Sequence, residues 1–340
     1  PVRVEVIGKE RIATTGMTDL SDLLKEQSGL LMTGTVRTGV QMNGLGPDYT
    51  LILIDGQPVI GRVAGVIDLS RISVGNIERV EVVKGPMSSM YGSEALAGVI
   101  NIITKRPSDD LHGSTLMQVT THGPINLRSE LGWGSNDLEI SGFIDGKVQA
   151  PFDLPLDTLS IPYSGFRDVT GQVKMQWRFD KGWTARTWLR GFGSETRGEF
   201  IESFAGQIAK NTGSVVQWDL SGTAGIEYQH GRARLTVNAY GSTYNERYNF
   251  DTEQGDAGAT DDLVRRIGRL YAQYDVQLGD ANRLTTGGEF LYDDIGGSRY
   301  TDSTGSNPFY RTAVAFAQWE GLPNDWISYV VSARYDGNSD

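Results

Sequence analysis

The sequence predicts a transmembrane antiparallel β-barrel preceded by an N-terminal α/β domain, and three observations carry this prediction. Residues 1–107 mix short strand-like runs, a short helix and many glycine turns. From residue 113 onward, segments of about ten to fourteen residues alternate apolar and polar side chains, as barrel strands do. The connections between those segments are alternately short and long, which is typical of barrels with short turns at one end and loops at the other.

The first 107 residues read as a compact unit of strands and turns. "VRVEVI" and "IERVEVVKG" are strand-like, and "GVINIITK" ends the unit. "TDLSDLLKEQSG" predicts a short helix that Thr18 caps and Gly29 ends. "YTLILIDGQPVI" predicts two strands around a tight turn at Asp55 and Gly56.

The alternation after residue 113 separates two faces of each strand. In "DVTGQVKMQWRF", Val169, Val173 and Trp177 share one face, whereas Lys174 and Arg178 lie on the other. A lysine or arginine facing lipid at mid-depth would cost roughly 2–4 kcal/mol, so the charged face must point inward. A soluble β-sandwich or barrel is the alternative, but its strands centre near five or six residues.

Eleven such segments are predicted, near 114–120, 126–133, 137–148, 168–179, 183–194, 217–229, 232–245, 264–278, 282–292, 312–320 and 327–335. The predicted long connections are 149–167, 195–216, 246–263 and 293–311. Aromatic residues such as Trp177, Trp183 and Tyr228 stand near segment ends, where they would form an interfacial girdle.

The composition of the chain excludes several classes of site and partner. The chain of 340 residues has 42 acidic and 31 basic residues and a net charge of −11, which argues against nucleic acid as a partner. It has no cysteine, so a thiolate zinc site and a disulfide framework are both excluded. No apolar run reaches the length of a membrane helix, and no signal peptide is visible. We expect residue 1 to lie within a longer gene product.

Three motifs resemble the plug domain of TonB-dependent outer-membrane receptors. They are "LILIDGQPV" (51–59), "IERVEVVKGP" (77–86) and "SSMYGSEALAGVINIITK" (88–105). The resemblance implies a plug at 1–107 and the N-terminal part of a transmembrane β-barrel at 108–340. Such barrels have about 22 strands around a plugged lumen, so the eleven segments correspond to half of one.

The resemblance also implies a function: TonB-dependent active transport of a scarce metal chelate across the bacterial outer membrane. Ferric siderophore, haem and cobalamin are the candidate chelates. The implied partners are outer-membrane lipid and TonB, which would act through a TonB box upstream of residue 1, and a surface lipoprotein is a further candidate. An outer-membrane signalling or adhesion receptor without transport is the alternative. No enzyme is expected, and no resident cofactor is required.

In the family, apical plug loops contact the cargo. The matching segments of this chain place Asn43, Asp48, Tyr49, Gln57 and Arg62 as candidate substrate-binding residues. Ordinary solvation of loop side chains is the competing interpretation for each of them.

A charged lock between plug and barrel is also implied by the resemblance. Glu78, Arg79 and Glu81 match the later lock motif. The chain departs from the family pattern in having Asn43 where an arginine commonly precedes the glycine, so the lock is either weaker here or uses Arg37.

The segment "DTEQGDAGATDD" (251–262) is rich in carboxylates. Hard cations prefer such oxygen ligands, so an external Ca²⁺ site is a candidate, although the spacing is not that of an EF-hand. Its ligands would be Asp251, Glu253, Asp256, Asp261 and Asp262. A solvated acidic loop is the alternative.

Overall fold

A computed structural model describes residues 3–33, 38–63, 65–85, 93–107, 110–121, 123–151, 165–204, 207–252, 259–298, 300, 308–324 and 326–339. Up to residue 107 it contains β1 (Arg3–Gly8), α1 (Lys9–Thr15), α2 (Leu20–Lys25), β2 (Leu30–Thr33), β3 (Gly39–Met42), β4 (Thr50–Ile54), β5 (Gln57–Pro58), β6 (Ile77–Lys84) and β7 (Gly98–Thr104). Single 3₁₀ turns occur at Pro47–Tyr49, Leu69–Arg71 and Ser93–Ala95. Neither described helix has the length and apolarity needed to cross a membrane.

Five of these strands form one sheet in the order β1-β6-β7-β4-β5, and β2 pairs with β3 separately. Strand β4 runs parallel to β7, whereas the other pairs are antiparallel. Every residue of β4 is buried, because apolar side chains cover both of its faces. Leu20, Leu23 and Leu24 of α2 pack into the same core. The first hundred residues therefore have their own hydrophobic core.

The turn predicted at Asp55 and Gly56 is present. Both residues have positive φ, of 50° and 78°, as the tightest β-hairpin turns require. The predicted cap of α2 is wrong by one residue. The Asp19 carboxylate, rather than Thr18, accepts a hydrogen bond from the Asp22 backbone N–H at 3.2 Å. Helix α2 also ends at Lys25, before the turn that contains Gly29.

The rest of the described chain forms one antiparallel sheet of eleven strands. They are β8 (His112–Val119), β9 (Ile125–Gly134), β10 (Leu138–Gln149), β11 (Gly165–Asp180), β12 (Trp183–Phe204), β13 (Gln207–His230), β14 (Ala233–Thr252), β15 (Ala259–Leu278), β16 (Asn282–Gly296), β17 (Phe309–Asn324) and β18 (Ile327–Ser339). Each pairs with its neighbours in sequence, and β8 and β18 are the outer strands. The predicted boundary at residue 107 lies between β7 and β8.

The two faces of this sheet differ as the alternation predicts. On β11, Val169 and Val173 are 51% and 54% exposed, whereas Thr170 and Gln172 are buried. The apolar face is outward and the polar face is covered by the N-terminal domain. In a soluble protein the apolar side chains would be buried and the polar ones exposed. The opposite arrangement, on strands of this length, is what a lipid-facing barrel wall requires. The predicted fold class is confirmed.

Strands β12 to β15 are much longer than the roughly ten residues that cross a bilayer. The predicted long connection 195–216 is therefore wrong: β12 continues to Phe204 and β13 begins at Gln207. Outside the membrane an outward apolar face is not needed, so polar residues there gave a loop-like pattern. Cross-strand backbone hydrogen bonds nevertheless continue the ladder.

Aromatic rings form a continuous band at the short-turn end of β11, β12 and β13. Trp183 and Tyr228 stack with ring centroids 4.5 Å apart. Phe179 lies 6.2 Å from Trp183 and 5.1 Å from Trp177. Such amphipathic rings are enriched at membrane–water interfaces, so this band marks one edge of the apolar wall.

Candidate functional site

The N-terminal domain is fastened to the inner face of the sheet by polar contacts. They reach eight neighbouring strands, from β8 to β15: Gly16–Gln118, Lys105–Glu130, Ser73–Asp145, Asn76–Gln172, Arg71–Arg190, Arg71–Asp219, Pro58–Tyr240 and Gln57–Arg269. Because eight consecutive strands contact one small domain, the sheet must curve around that domain. The domain thus lies inside the barrel wall as a plug.

The hairpin turn after β4 is one anchor of the plug. The Asp55 carboxylate accepts hydrogen bonds from the Thr104 backbone N–H at 2.9 Å and from its hydroxyl at 2.6 Å. Lys174 of β11 contacts the same carboxylate at 2.9 Å and donates to the Thr104 carbonyl at 3.2 Å. One side chain therefore joins the hairpin, strand β7 and the barrel wall.

A second anchor is a buried charge cluster around Arg71, which is 2% exposed. The Asp219 Oδ1 atom accepts a hydrogen bond from Arg190 at 2.6 Å, and Arg190 also donates to the Arg71 carbonyl at 3.1 Å. The Arg71 guanidinium donates to the Ile60 carbonyl and lies 4.8 Å from the centre of the Tyr244 ring. The cluster was not predicted from the sequence, because no local pattern connects residues 71, 190 and 219.

The Arg71–Asp219 contact is incomplete. Arg71 Nη1 lies 3.8 Å from Asp219 Oδ2, beyond hydrogen-bond distance. Both atoms, and Arg71 Nε, are buried without a hydrogen-bond partner among the described residues. A buried polar atom without a hydrogen-bond partner costs free energy, so these atoms reduce the stability of this part of the plug–wall interface.

The candidate substrate-binding residues divide into two groups. Tyr49 is 39% exposed, and Asp48 lies beside it in the 3₁₀ turn. The other three are engaged in contacts. Asn43, with φ of 54°, donates to the Ala97 carbonyl at 3.1 Å, and Gln57 accepts from Arg269 at 3.3 Å. Their role in binding cargo stays a prediction.

Arg62 ties the apical loops of the plug together. Its guanidinium donates to the carbonyls of Pro47 at 2.6 Å, Gly65 at 2.9 Å and Thr50 at 3.4 Å. Burial lowers the pKa of this guanidinium, and the nearby Glu94 carboxylate opposes that shift. The arrangement makes Arg62 a support for the loops that carry Asp48 and Tyr49.

A cavity of about 660 Å³ separates these loops from strands β15 to β18. The plug side includes Gly56, Pro58, Ile60 and Arg62. The wall side carries arginines and carboxylates from β15, β16 and β18, and β17 adds Thr312 and Val314. Its volume falls in the range of roughly 300–1,000 Å³ that is usual for small-molecule sites.

The predicted lock residues make their described contacts within the plug. Arg79 donates to Glu81 at 2.7 Å on the same strand, and Glu81 accepts from Asn101 at 3.1 Å. Glu78 lies 3.6 Å from Lys9. Arg37 lies outside the described residues. The lock to the barrel stays a prediction.

The candidate Ca²⁺ segment is only partly described. Glu253 and Asp256 lie outside the described residues, as does the side chain of Asp251. Asp261 accepts a hydrogen bond from Ser298, whose hydroxyl also accepts from the Asp262 backbone N–H at 2.9 Å. The described residues contain no group of three or more acidic or histidine side chains placed to hold a metal. The Ca²⁺ site stays a prediction.

Comparison with known proteins agrees with this architecture. Residues 1–99 match the family model "TonB-dependent Receptor Plug Domain". The ferric enterobactin receptor PirA of Pseudomonas aeruginosa is 38% identical over 123 residues, which cover 31% of this chain and 16% of that protein. The vitamin B12 transporter BtuB of Vibrio cholerae is 26% identical over 370 residues, which cover 99% of this chain and 54% of that protein.

Solved structures share the fold. The siderophore receptor PirA from Acinetobacter baumannii superposes with a TM-score of 0.74 at 20% identity, over 99% of this chain and 56% of that one. The ferric enterobactin receptor of Pseudomonas aeruginosa, solved in complex with enterobactin, gives a TM-score of 0.75 at 19% identity, over 99% and 58% of the two chains. The chain spans about half the length of these relatives.

The fold and the site define an outer-membrane β-barrel that carries a plug against its inner wall. Residues 1–99 match the plug domain of TonB-dependent receptors, the described chain has the fold of these outer-membrane receptors, and its place is the bacterial outer membrane. The relatives described here are named as receptors or transporters rather than enzymes.

Proposed function

We propose that the protein takes up a scarce metal chelate across the bacterial outer membrane, driven by TonB. The observation that carries the proposal is the plug itself. It contacts eight consecutive barrel strands, so cargo passes only if the plug moves or changes shape. The names of the relatives, receptors for ferric siderophores and a vitamin B12 transporter, support a metal chelate as cargo.

The nature of the plug–wall contacts supports a plug that moves. The contacts that fasten the plug to successive strands are hydrogen bonds and ion pairs, such as Lys174–Asp55 and Lys105–Glu130. Water can replace such contacts, so each contributes only about 0.5–3 kcal/mol net. The apolar core of the plug lies mainly within residues 7–102 and does not depend on the wall. Movement can therefore break the contacts while the core of the plug stays folded.

The position of β1 supports force from the N-terminal side. Among the described strands, it is the outer strand of the plug sheet and pairs with β6 alone, from Arg3↔Lys84 to Gly8↔Arg79. Tension applied before Arg3 would load these pairs first. The proposed source of that tension is TonB, bound by strand addition to a TonB box upstream of residue 1.

Uptake measurements test the proposal. Labelled cobalamin, haem and ferric siderophores are supplied to a strain that lacks its own receptor and expresses the whole gene, with and without TonB. We expect one chelate class to accumulate only when TonB is present, while binding to cells persists without it. Equal accumulation in both strains would contradict energised transport.

A further inference from the structure

The wall of the 660 Å³ cavity is lined by arginines that already have carboxylate partners. Three ion pairs lie within the wall: Arg265–Asp293, Arg269–Glu289 and Arg334–Asp336. The first two pairs join β15 to β16, and the third joins two nearby positions of β18. The wall therefore neutralises its own charges without a contribution from the plug.

In two of these pairs, the arginine N–H groups that would bind an anion already donate to a carboxylate. Arg269 donates to both carboxylate oxygens of Glu289, at 2.8 Å each. Arg265 donates to both oxygens of Asp293, at 3.1 and 2.6 Å. Two parallel N–H···O bonds are the strongest form of this interaction. All four side chains are largely buried, at 15–23% exposure, so solvent does little to weaken the pairs.

The plug side of the cavity does not add free positive charge. The Arg62 guanidinium donates to three backbone carbonyls, and Glu94 contributes a carboxylate nearby. The described lining thus contains four arginines and four carboxylates, and its formal charges balance.

We propose that this cavity selects a metal chelate of little or no net charge, such as a neutral ferric hydroxamate or a corrinoid, over a trianionic ferric catecholate. The inference rests on the proposed transport function and states which cargo class that function serves. A trianion entering the cavity would meet four carboxylates, and it would have to take arginine donors away from them. In a partly desolvated site, neither the repulsion nor the broken pairs is offset by water.

A charge series on the receptor expressed from its whole gene tests the proposal. Affinity is measured by competition for a neutral ferric tris-hydroxamate, for cobalamin and for a trianionic ferric tris-catecholate. We expect one of the neutral chelates to bind at least about tenfold more tightly than the catecholate, because like-charge contacts work against the trianion. Equal or tighter catecholate binding would overturn the proposal.

Variants test the mechanism separately. Glu289→Gln releases Arg269 from its bidentate pair, so the ratio of catecholate affinity to neutral-chelate affinity should rise by about tenfold. The matched control is Glu227→Gln, which releases Arg186 from a 2.9 Å pair near the short-turn end of β13, away from the cavity. A rise in both variants, or in neither, would contradict the assignment to this cavity.

The wild-type series needs no variant, so it decides the proposal even if Glu289→Gln fails to fold. A receptor that binds the neutral chelate but does not accumulate it with TonB present would contradict transport while leaving the selectivity intact. A receptor that binds and transports only the catecholate would leave the transport function intact and overturn the selectivity.

Discussion

Gly61 of the plug packs directly against the ring of Tyr244 of the barrel. Gly61 has φ of 90°, and a Cβ atom there would overlap the Tyr244 ring. Tyr244 is 1% exposed and belongs to an apolar cluster that includes Ile60 and Val63 of the plug. This single glycine lets the plug loop lie flat against the wall.

Replacement of Gly61 by alanine is expected to destabilise the seated plug. The positive φ costs an L-residue about 1–2 kcal/mol, and overpacking against the ring adds about 1–3 kcal/mol. Thermal unfolding of the purified receptor measures the loss. Gly56→Ala is the control, because φ there is 78° but nothing lies within 4 Å of the new Cβ. Equal losses in the two variants would mean that the ring contact contributes nothing.

Residue-scale prediction from the sequence succeeded where the cause is local. The hairpin at Asp55 and Gly56 depends on two adjacent residues that tolerate positive φ, and both are where the sequence places them. The cluster of Arg71, Arg190 and Asp219 was not predicted. Its members come from three elements, and only the docking of the plug brings them together.

At the scale of elements, the hairpin between β4 and β5 depends on the ion pair between Asp55 and Lys174. Both side chains are only 13–15% exposed, so solvent screens the pair weakly. Lys174 also lies on the inward face of β11, as the alternation of that strand predicts. The pair is therefore a direct link between a plug element and a barrel element.

Asp55→Asn is expected to weaken this link by about 1.5–3 kcal/mol, the usual contribution of a hydrogen bond to a charged group. A double-mutant cycle with Lys174→Met measures the coupling by chemical unfolding. The comparison pair is Arg186–Glu227, in which Arg186 is 52% exposed and the coupling should stay below about 1 kcal/mol. Coupling energies of the same size in both cycles would contradict a special role for the hairpin pair.

Element boundaries show where the sequence was ambiguous. Helix α1 was not predicted, since "KERIATT" follows a strand and lacks a capping side chain at Gly8. Residues 195–216, which include the end of β12 and the start of β13, were predicted as a loop, because strands outside the bilayer no longer need an apolar face. In both cases backbone hydrogen bonds, rather than the pattern of side chains, determine the secondary structure.

At the scale of the whole molecule, the proposed transport requires that the plug leave its place against the wall. The chain contains no cysteine, so an introduced pair can be oxidised without competing thiols. Ser73 on the plug and Asp145 on β10 are in side-chain contact. They provide a position at which plug and wall can be joined covalently.

The double variant Ser73→Cys, Asp145→Cys is expected to bind cargo when oxidised but to lose nearly all uptake, because the plug is held at the wall. Reduction should restore uptake. The two single variants control for the loss of the hydrogen bond. Full uptake by the oxidised protein, with the cross-link verified by mass spectrometry, would show that the passage does not require movement of this part of the plug.

The sequence alone determined that the chain has two parts and that the second is a barrel wall. Period-two alternation over long strands allows one solution in a bilayer, with apolar side chains outward and polar ones inward, as Val173 and Gln172 show. Only the tertiary structure decided which inward residues pair with the plug and which pair with one another. Those contacts join positions up to 212 residues apart, as in Gln57–Arg269, and depend on strand register and curvature that no local pattern encodes.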